Sequence, residues 1–171
     1  MPPTSPDDLY ALIAGPDGVE RFNALRRETG FAVLTLSGLD FSGHDLSGIN
    51  LSNCNMAHCR LQDALLHEAN LVFTVFNGSD CEGAQFYQAN LEEAEFGRCN
   101  LKHCNFSGVA ASEADFSDAD LSGATFLDAN LAQAVFDRAN LADADFTQAV
   151  LRGASFVDTL LEFALLEDAI R

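Results

Sequence analysis

The chain has 171 residues, with 26 acidic and nine basic side chains, and carries a formal net charge of −17 at pH 7. DNA phosphates and anionic lipid headgroups are themselves polyanions, so this charge excludes non-specific binding to either, and a partner attracted by charge has to be basic. The length suits one domain that buries its own core.

The composition identifies no targeting segment. No run of about 20 apolar residues is present to cross a membrane. The first ten residues, MPPTSPDDLY, lack the basic and apolar regions of a signal peptide. We therefore expect a cytoplasmic protein that contacts no membrane and no nucleic acid directly.

Residues 1–30 predict two short helices. Ser5 followed by proline and two acids is typical of a helix N-terminus, and this helix is expected to reach Ala14. A second helix is expected after Asp17 and ends at Gly30. Its apolar face carries Val19, Phe22 and Leu25.

A five-residue repeat occupies the rest of the chain. Stepping by five from Leu36 to Leu166 gives 27 positions, which we call centres, and 25 of them are Leu, Phe or Met. The residue two before each centre is nearly always small, and the other three positions are mostly polar. Helices repeat near 3.6 residues and strands at 2, so this period predicts neither. It predicts a chain that turns a corner in every repeat and buries its centres by stacking coils, as solenoids do.

The unit Ala-(Asp/Asn)-(Leu/Phe)-x-x resembles the pentapeptide-repeat family. Clear copies are ANLEE from Ala89, ADLSG from Ala119, ANLAQ from Ala129 and ANLAD from Ala139. The resemblance implies an all-β solenoid, a right-handed quadrilateral β-helix with four repeats per coil and about seven coils over residues 31–171. It also implies that the helices of residues 1–30 form a cap on the N-terminal end of this rod.

The centres alternate between phenylalanine and leucine from residue 86 onward. A ten-residue alternation stacks like on like only when each coil holds an even number of repeats, which four satisfies. We therefore expect two phenylalanine ladders on opposite sides. One contains Phe86, Phe106, Phe126 and Phe146, and the other Phe96, Phe116, Phe136 and Phe156.

Acidic residues concentrate on two of the four predicted sides. The first side, with centres 41, 61, 81 and onward, holds seven acids and two bases, and the adjacent second side, with centres 46, 66, 86 and onward, holds six acids and no Lys or Arg. The third side has centres 51, 71, 91 and onward, and the fourth has centres 36, 56, 76 and onward. We predict an acidic stripe that binds a partner, with solubility as the alternative explanation. Its residues are Asp63, Glu68, Asp80, Glu82, Asp120, Asp128, Asp143 and Asp145.

Two apolar groups break the polar pattern of the outward positions. The first is an alternative interaction patch, Leu65, Val72, Phe73 and Val75. The second lies near the C-terminus and predicts a homodimer interface through the C-terminal coil, as several family members form. It contains Leu160, Phe163, Leu165 and Ile170.

No pattern indicates catalysis, and neither a cofactor nor a metal is expected. The carboxylates are at outward positions of a repeat, and no phosphate-binding loop or nucleophile elbow is present. Two clusters, Cys54-His58-Cys59 and Cys99-His103-Cys104, would allow a metal by composition. In both, the cysteines are at inward positions and the histidine at an outward corner, so their side chains are expected to diverge. The five cysteines are expected to be reduced and buried.

Two functions follow from the resemblance. Quinolone-resistance members of the family are acidic dimeric rods that occupy the DNA-binding saddle of type II topoisomerases, which would make DNA gyrase or topoisomerase IV the partner of this chain. The chain departs from those proteins in its helical leader and in having no loop that interrupts the repeats from 36 to 166. The alternative is an interaction scaffold or regulator whose protein partner is unrelated to DNA.

Overall fold

The computed structural model describes residues 5–30 and 32–170. Two helices come first, α1 at Pro6–Ala14 and α2 at Gly18–Thr29. Two short strands, β1 at Leu34–Thr35 and β2 at Cys54–Asn55, pair in parallel. No helix in the described part of the chain is long and apolar enough to cross a bilayer.

The remainder of the chain is a right-handed quadrilateral β-helix, as the repeat predicts. Parallel bridges join each residue before a centre to the residue 20 positions later, from Asp40 with Arg60 to Val150 with Ile170. Four five-residue repeats therefore make one coil. We call the residue before each centre the bridge position and the two residues after it the first and second corner positions.

Every corner is a β-turn with the same backbone conformation. The amide of His44 donates to the carbonyl of Phe41 at 3.0 Å, and the equivalent bond recurs along the rod. All 27 second corner residues have positive φ, eight of them the glycines that the sequence places there and 19 of them other residues. None of the 19 is β-branched, which fits the steric cost of this region for Val, Ile and Thr.

The bridge position supplies a cap for each turn. The amide of the first corner residue takes no part in the backbone bonds between coils. Where the bridge residue is Asp or Asn, its side-chain oxygen accepts this amide, as Asp40 accepts the amide of Ser42 at 3.0 Å. All 14 Asp and Asn residues at bridge positions make this bond. The Asp/Asn of the repeat is therefore a turn-forming residue, because it pairs a donor that the turn leaves free.

The core is a double stack of phenylalanine rings. Within each predicted ladder, rings in successive coils lie 4.8–5.1 Å apart with planes within 11° of parallel. Rings of the two ladders meet edge to face across the interior at 5.7–6.3 Å. Since the stacking distance matches the spacing between strands, the rise of the coil determines the ring separation.

The two helices cover the N-terminal end of this core. Ser5 caps α1 by accepting the amide of Asp8 at 3.2 Å. The ring of Tyr10 packs 5.2 Å from that of Phe41 in the first coil. The inward face of the helices buries Leu9, Ile13, Phe22 and Leu25.

Two polar side chains of α2 replace the backbone of a preceding coil. In regular coils the bridge amide donates to a carbonyl 21 residues earlier, as Arg60 does to Leu39. For Asn50 that partner would lie within α2, and its amide donates instead to Oδ1 of Asn23 at 2.7 Å. Likewise Arg26, which is only 2% exposed, donates to the carbonyl of Ser52 at 2.6 Å. The cap thus pairs polar groups that an open first coil would leave bare.

Replacing Arg26 with Ala should lower the free energy of unfolding by about 2–4 kcal/mol, because two buried carbonyls, of Ala32 and Ser52, lose charged donors. Arg27→Ala is the matched control, since Arg27 is exposed on the same helix, and it should change stability by less than about 0.5 kcal/mol. Urea unfolding followed by circular dichroism measures both. Equal losses in the two variants would contradict this role for Arg26.

Candidate interaction surfaces

The 20-residue coil makes the first and second sides adjacent, and it divides the predicted acidic stripe into two structural groups. Five carboxylates are exposed at corner positions, and we call them the corner acids: Asp63, Glu68, Glu82, Asp128 and Asp143. The other three are half-buried at bridge positions, and we call them the bridge acids: Asp80, Asp120 and Asp145.

The bridge acids are held in hydrogen bonds within the rod. Asp145 accepts the amide of Thr147 at 2.9 Å. Asp120 accepts the hydroxyl of Ser122 at 2.8 Å and the Nζ of Lys102 at 3.2 Å. Burial raises the pKa of Asp120, but these donors outweigh it and hold that pKa below its ordinary value. The bridge acids therefore shape turns, whereas the corner acids are free to meet a partner.

Basic side chains on the first side are already paired with acids. Arg60 pairs with Asp40, and its hydrogen bond holds the pKa of that carboxyl well below the usual range. Lys102 pairs with Asp120. The second side contains no Lys or Arg. Uncompensated negative charge is therefore greatest on the second side and along its two corners.

The alternative apolar patch is not brought together. Phe73 is 45% exposed at the corner between the third and fourth sides, with Val72 and Val75 half-buried next to it. Leu65 lies on the second side, with the third side between it and Phe73. Three of the four predicted residues form one surface, and Leu65 belongs to another.

Leu65 lies instead beside an aromatic pair that sequence reasoning missed. Tyr87 is 42% exposed, and its ring meets that of His67 edge to face at 6.2 Å. The two residues are 20 apart, so both occupy the first corner position of the second side. We call Leu65, His67 and Tyr87 the aromatic patch. The coil period applied to outward residues would have found it.

The last coil exposes the residues predicted for a dimer interface. Leu160, Phe163, Leu165 and Ile170 are 50%, 75%, 56% and 45% exposed. A cavity of about 390 Å³ opens beside them, lined by Leu151, Gly153, Ala154, Phe156, Leu161 and Leu166. Among the described residues, the amides of the last three centres have no acceptor in a following coil.

The cysteine clusters diverge as expected. All five thiols are buried, and three of them donate to backbone carbonyls, such as Cys99 to Phe76 at 3.0 Å. His58 and His103 are exposed at second corner positions. Within residues 5–30 and 32–170, no three His, Cys, Asp or Glu side chains are grouped to hold a metal ion. Burial raises the pKa of Cys54 to about 11 and that of Cys99 to about 12.

A family model described as pentapeptide repeats matches this chain in eight copies, and the matched segments together span residues 35–153. No curated protein is significantly similar in sequence.

Solved structures that resemble the chain are also repeat proteins. A trypsin-treated form of QnrB1, a plasmid-mediated fluoroquinolone resistance protein, is 19% identical over 80% of this chain and 89% of its own, with a TM-score of 0.40. Rfr23 from the cyanobacterium Cyanothece 51142 is 21% identical over 86% of this chain and 96% of its own, with a TM-score of 0.33. HetL from Nostoc sp. strain PCC 7120 is 20% identical over 86% and 94%, with a TM-score of 0.22. At these values none of them assigns a function.

The buried thiols should make the fold sensitive to alkali. In the unfolded chain a thiol ionises near pH 8.5, whereas Cys54 and Cys99 stay protonated in the folded state until about pH 11 and about pH 12 respectively. The unfolded state then binds fewer protons, so each thiol lowers the free energy of unfolding by about 1.4 kcal/mol per pH unit above pH 8.5.

A variant with Cys54→Ala and Cys99→Ala tests this, because alanine is common at this inward position. Between about pH 8 and pH 10 it should lose roughly 4 kcal/mol less than wild type in urea unfolding under reducing conditions. Identical pH dependence of the two proteins would show that these thiols do not titrate as proposed.

Proposed function

We propose that this chain, which belongs to the pentapeptide-repeat family, is a protein-binding module without catalytic activity. Its sides are regular, and the cavity at the C-terminal end is lined by apolar residues and glycine with no titratable group. Acid–base chemistry needs such a group within reach of a bound substrate. The surface features that call for a ligand are charge and exposed apolar side chains, which suit a protein partner.

The distribution of Asp and Asn at bridge positions carries the proposal. Either residue caps the turn, so the fold does not choose between them. On the third side all four such residues are Asn, whereas on the first and second sides five of eight are Asp. Negative charge is thus placed on two sides beyond what the turns require, and a solubility coat would need no such preference.

The partner that this acidic surface fits best is a protein with a basic, DNA-binding groove. The rod has almost seven coils, so at about 4.8 Å per coil it is roughly 30 Å long, enough to lie along a short duplex-sized groove. The family resemblance makes the DNA-binding saddle of a type II topoisomerase, DNA gyrase or topoisomerase IV, the proposed site. The chain would act there as an acidic mimic of DNA in the cytoplasm.

A second candidate function is an interaction scaffold or regulator. Phe73 is 45% exposed on a corner away from the acidic sides, beside Val72 and Val75. An exposed aromatic flanked by aliphatic side chains fits an apolar protein surface. Phe73→Ser should abolish binding to such a partner and leave the acidic sides active.

A gyrase supercoiling assay, with and without a fluoroquinolone, tests DNA mimicry. Wild type should change supercoiling at micromolar concentration. A stripe variant with Asp63→Asn, Glu68→Gln, Asp128→Asn and Asp143→Asn should require at least about tenfold more protein, because four exposed charges each contribute to a basic groove.

The matched control removes four charges from the third and fourth sides, with Glu92→Gln, Glu93→Gln, Glu113→Gln and Asp158→Asn. It should behave like wild type. Equal effects of the two variants would reduce the stripe to net charge alone, and no effect of wild type at tens of micromolar would exclude gyrase as the partner.

We also propose that the chain forms a homodimer through its last coil. Phe163 is 75% exposed beside Leu160 and Leu165, and burying such side chains against a second copy would stabilise a dimer. The unpaired amides of that coil would gain acceptors at the same time.

Light scattering at about 10 μM should give a dimer for wild type and a monomer for Phe163→Asp, because a buried unpaired carboxylate opposes association. Phe73→Asp is the matched control, since Phe73 also occupies a second corner position, and it should stay dimeric. A monomeric wild type would contradict the proposal.

A further inference from the structure

The aromatic patch lies on the side of the rod that carries uncompensated negative charge. Tyr87 is 42% exposed there, whereas outward side chains around it are mostly polar. Its contact with His67, at 6.2 Å and 71° between the ring planes, fixes the ring against the preceding coil. A half-exposed ring held in one orientation is a preformed surface for a ligand.

The following coil leaves the other side of the ring open. The residue above Tyr87 at the same corner position is Ser107, and the one above that is Leu127. The short serine side chain therefore lies between two larger ones, which are two coil spacings or about 10 Å apart along the rod. At the adjacent corner, Gln88 leans over Gly108, within 3.3 Å of where a Cβ would stand. The space beside Tyr87 is a short recess with one closed edge.

Acids surround this recess, and the second side supplies no base. Glu68 follows His67 in the chain, and Asp128 follows Leu127; both carboxylates are exposed. The nearest base on the neighbouring side, Lys102, is paired with Asp120 at 3.2 Å. A cation that enters the recess therefore meets an aromatic ring and carboxylates that have no other partner among the side chains of that surface.

We propose that the aromatic patch docks an arginine side chain of a protein partner, with the guanidinium stacked on Tyr87 and paired with Glu68 or Asp128. Arginine fits better than lysine because its planar, weakly hydrated cation stacks on a ring and binds a carboxylate at once. This inference rests on the proposed binding of a basic protein surface and names the chemistry of one contact within it.

Tyrosine fluorescence reports this contact directly. The chain has no Trp and two Tyr, of which Tyr10 lies in the cap. In a Tyr10→Phe background, emission comes from Tyr87 alone. A ten-residue peptide of alternating Arg and Gly should change that emission and bind about 2- to 5-fold more tightly than the Lys–Gly peptide of equal length and charge.

Calorimetry with the same two peptides separates stacking from general attraction. Tyr87→Ala should abolish the preference for arginine and keep weak, salt-sensitive binding of both peptides, whereas Tyr87→Phe should preserve the preference. Phe73→Ala, which removes an exposed ring from another part of the rod, should change neither.

Equal binding of the two peptides, or an arginine preference that survives Tyr87→Ala, would overturn the inference. Those outcomes leave the gyrase assay unaffected, so they differ from a failure of the proposed function. An arginine preference that depends on Tyr87, in a protein that has no effect on gyrase, would retain the inference and redirect it to another arginine-bearing partner.

Discussion

The backbone amide of the first corner residue is the constraint on which this structure depends. Each repeat turns through a β-turn with positive φ at its second corner, and the bonds between coils leave that one amide without a backbone partner. An Asp or Asn at the bridge position accepts it in all 14 cases where one is present. The polar half of the five-residue unit is therefore as structural as its apolar half. Because Asn serves as well as Asp, the charge of the rod can vary without altering its turns.

The two ends of the rod are closed in different ways. At the N-terminal end, Asn23 and Arg26 supply the donors and acceptors of a coil that is not there, and the apolar side chains of the helices cover the rings beneath. At the C-terminal end, leucine and phenylalanine line an open cavity. The same backbone edge is thus satisfied by side chains at one end and left available for pairing at the other.

The sequence predicts the coil well and the surface less well, for a physical reason. The centres repeat every five residues because each must be buried, so the fold and the phenylalanine ladders follow from the sequence alone. Outward residues obey no such rule. Leu65 was grouped with Phe73 because the two are near in sequence, yet a whole side separates them. Tyr87 and His67 touch although 20 residues separate them. Arg26 carries no sign in the sequence that it is buried, since its partners are carbonyls and not acids.

A rod closed by helices at one end has a direction in which it can assemble. Each coil contacts only its neighbours, so a new coil gains its hydrogen bonds from the one before it and offers the next a template. The helices complete the first coil, and they precede it in the chain, so they are made first as the polypeptide emerges during synthesis. Growth can then proceed 20 residues at a time from a finished surface, and no distant segment has to be awaited. Loss of structure should run the opposite way, with the last coil opening most often and the phenylalanine stack near the cap protected longest.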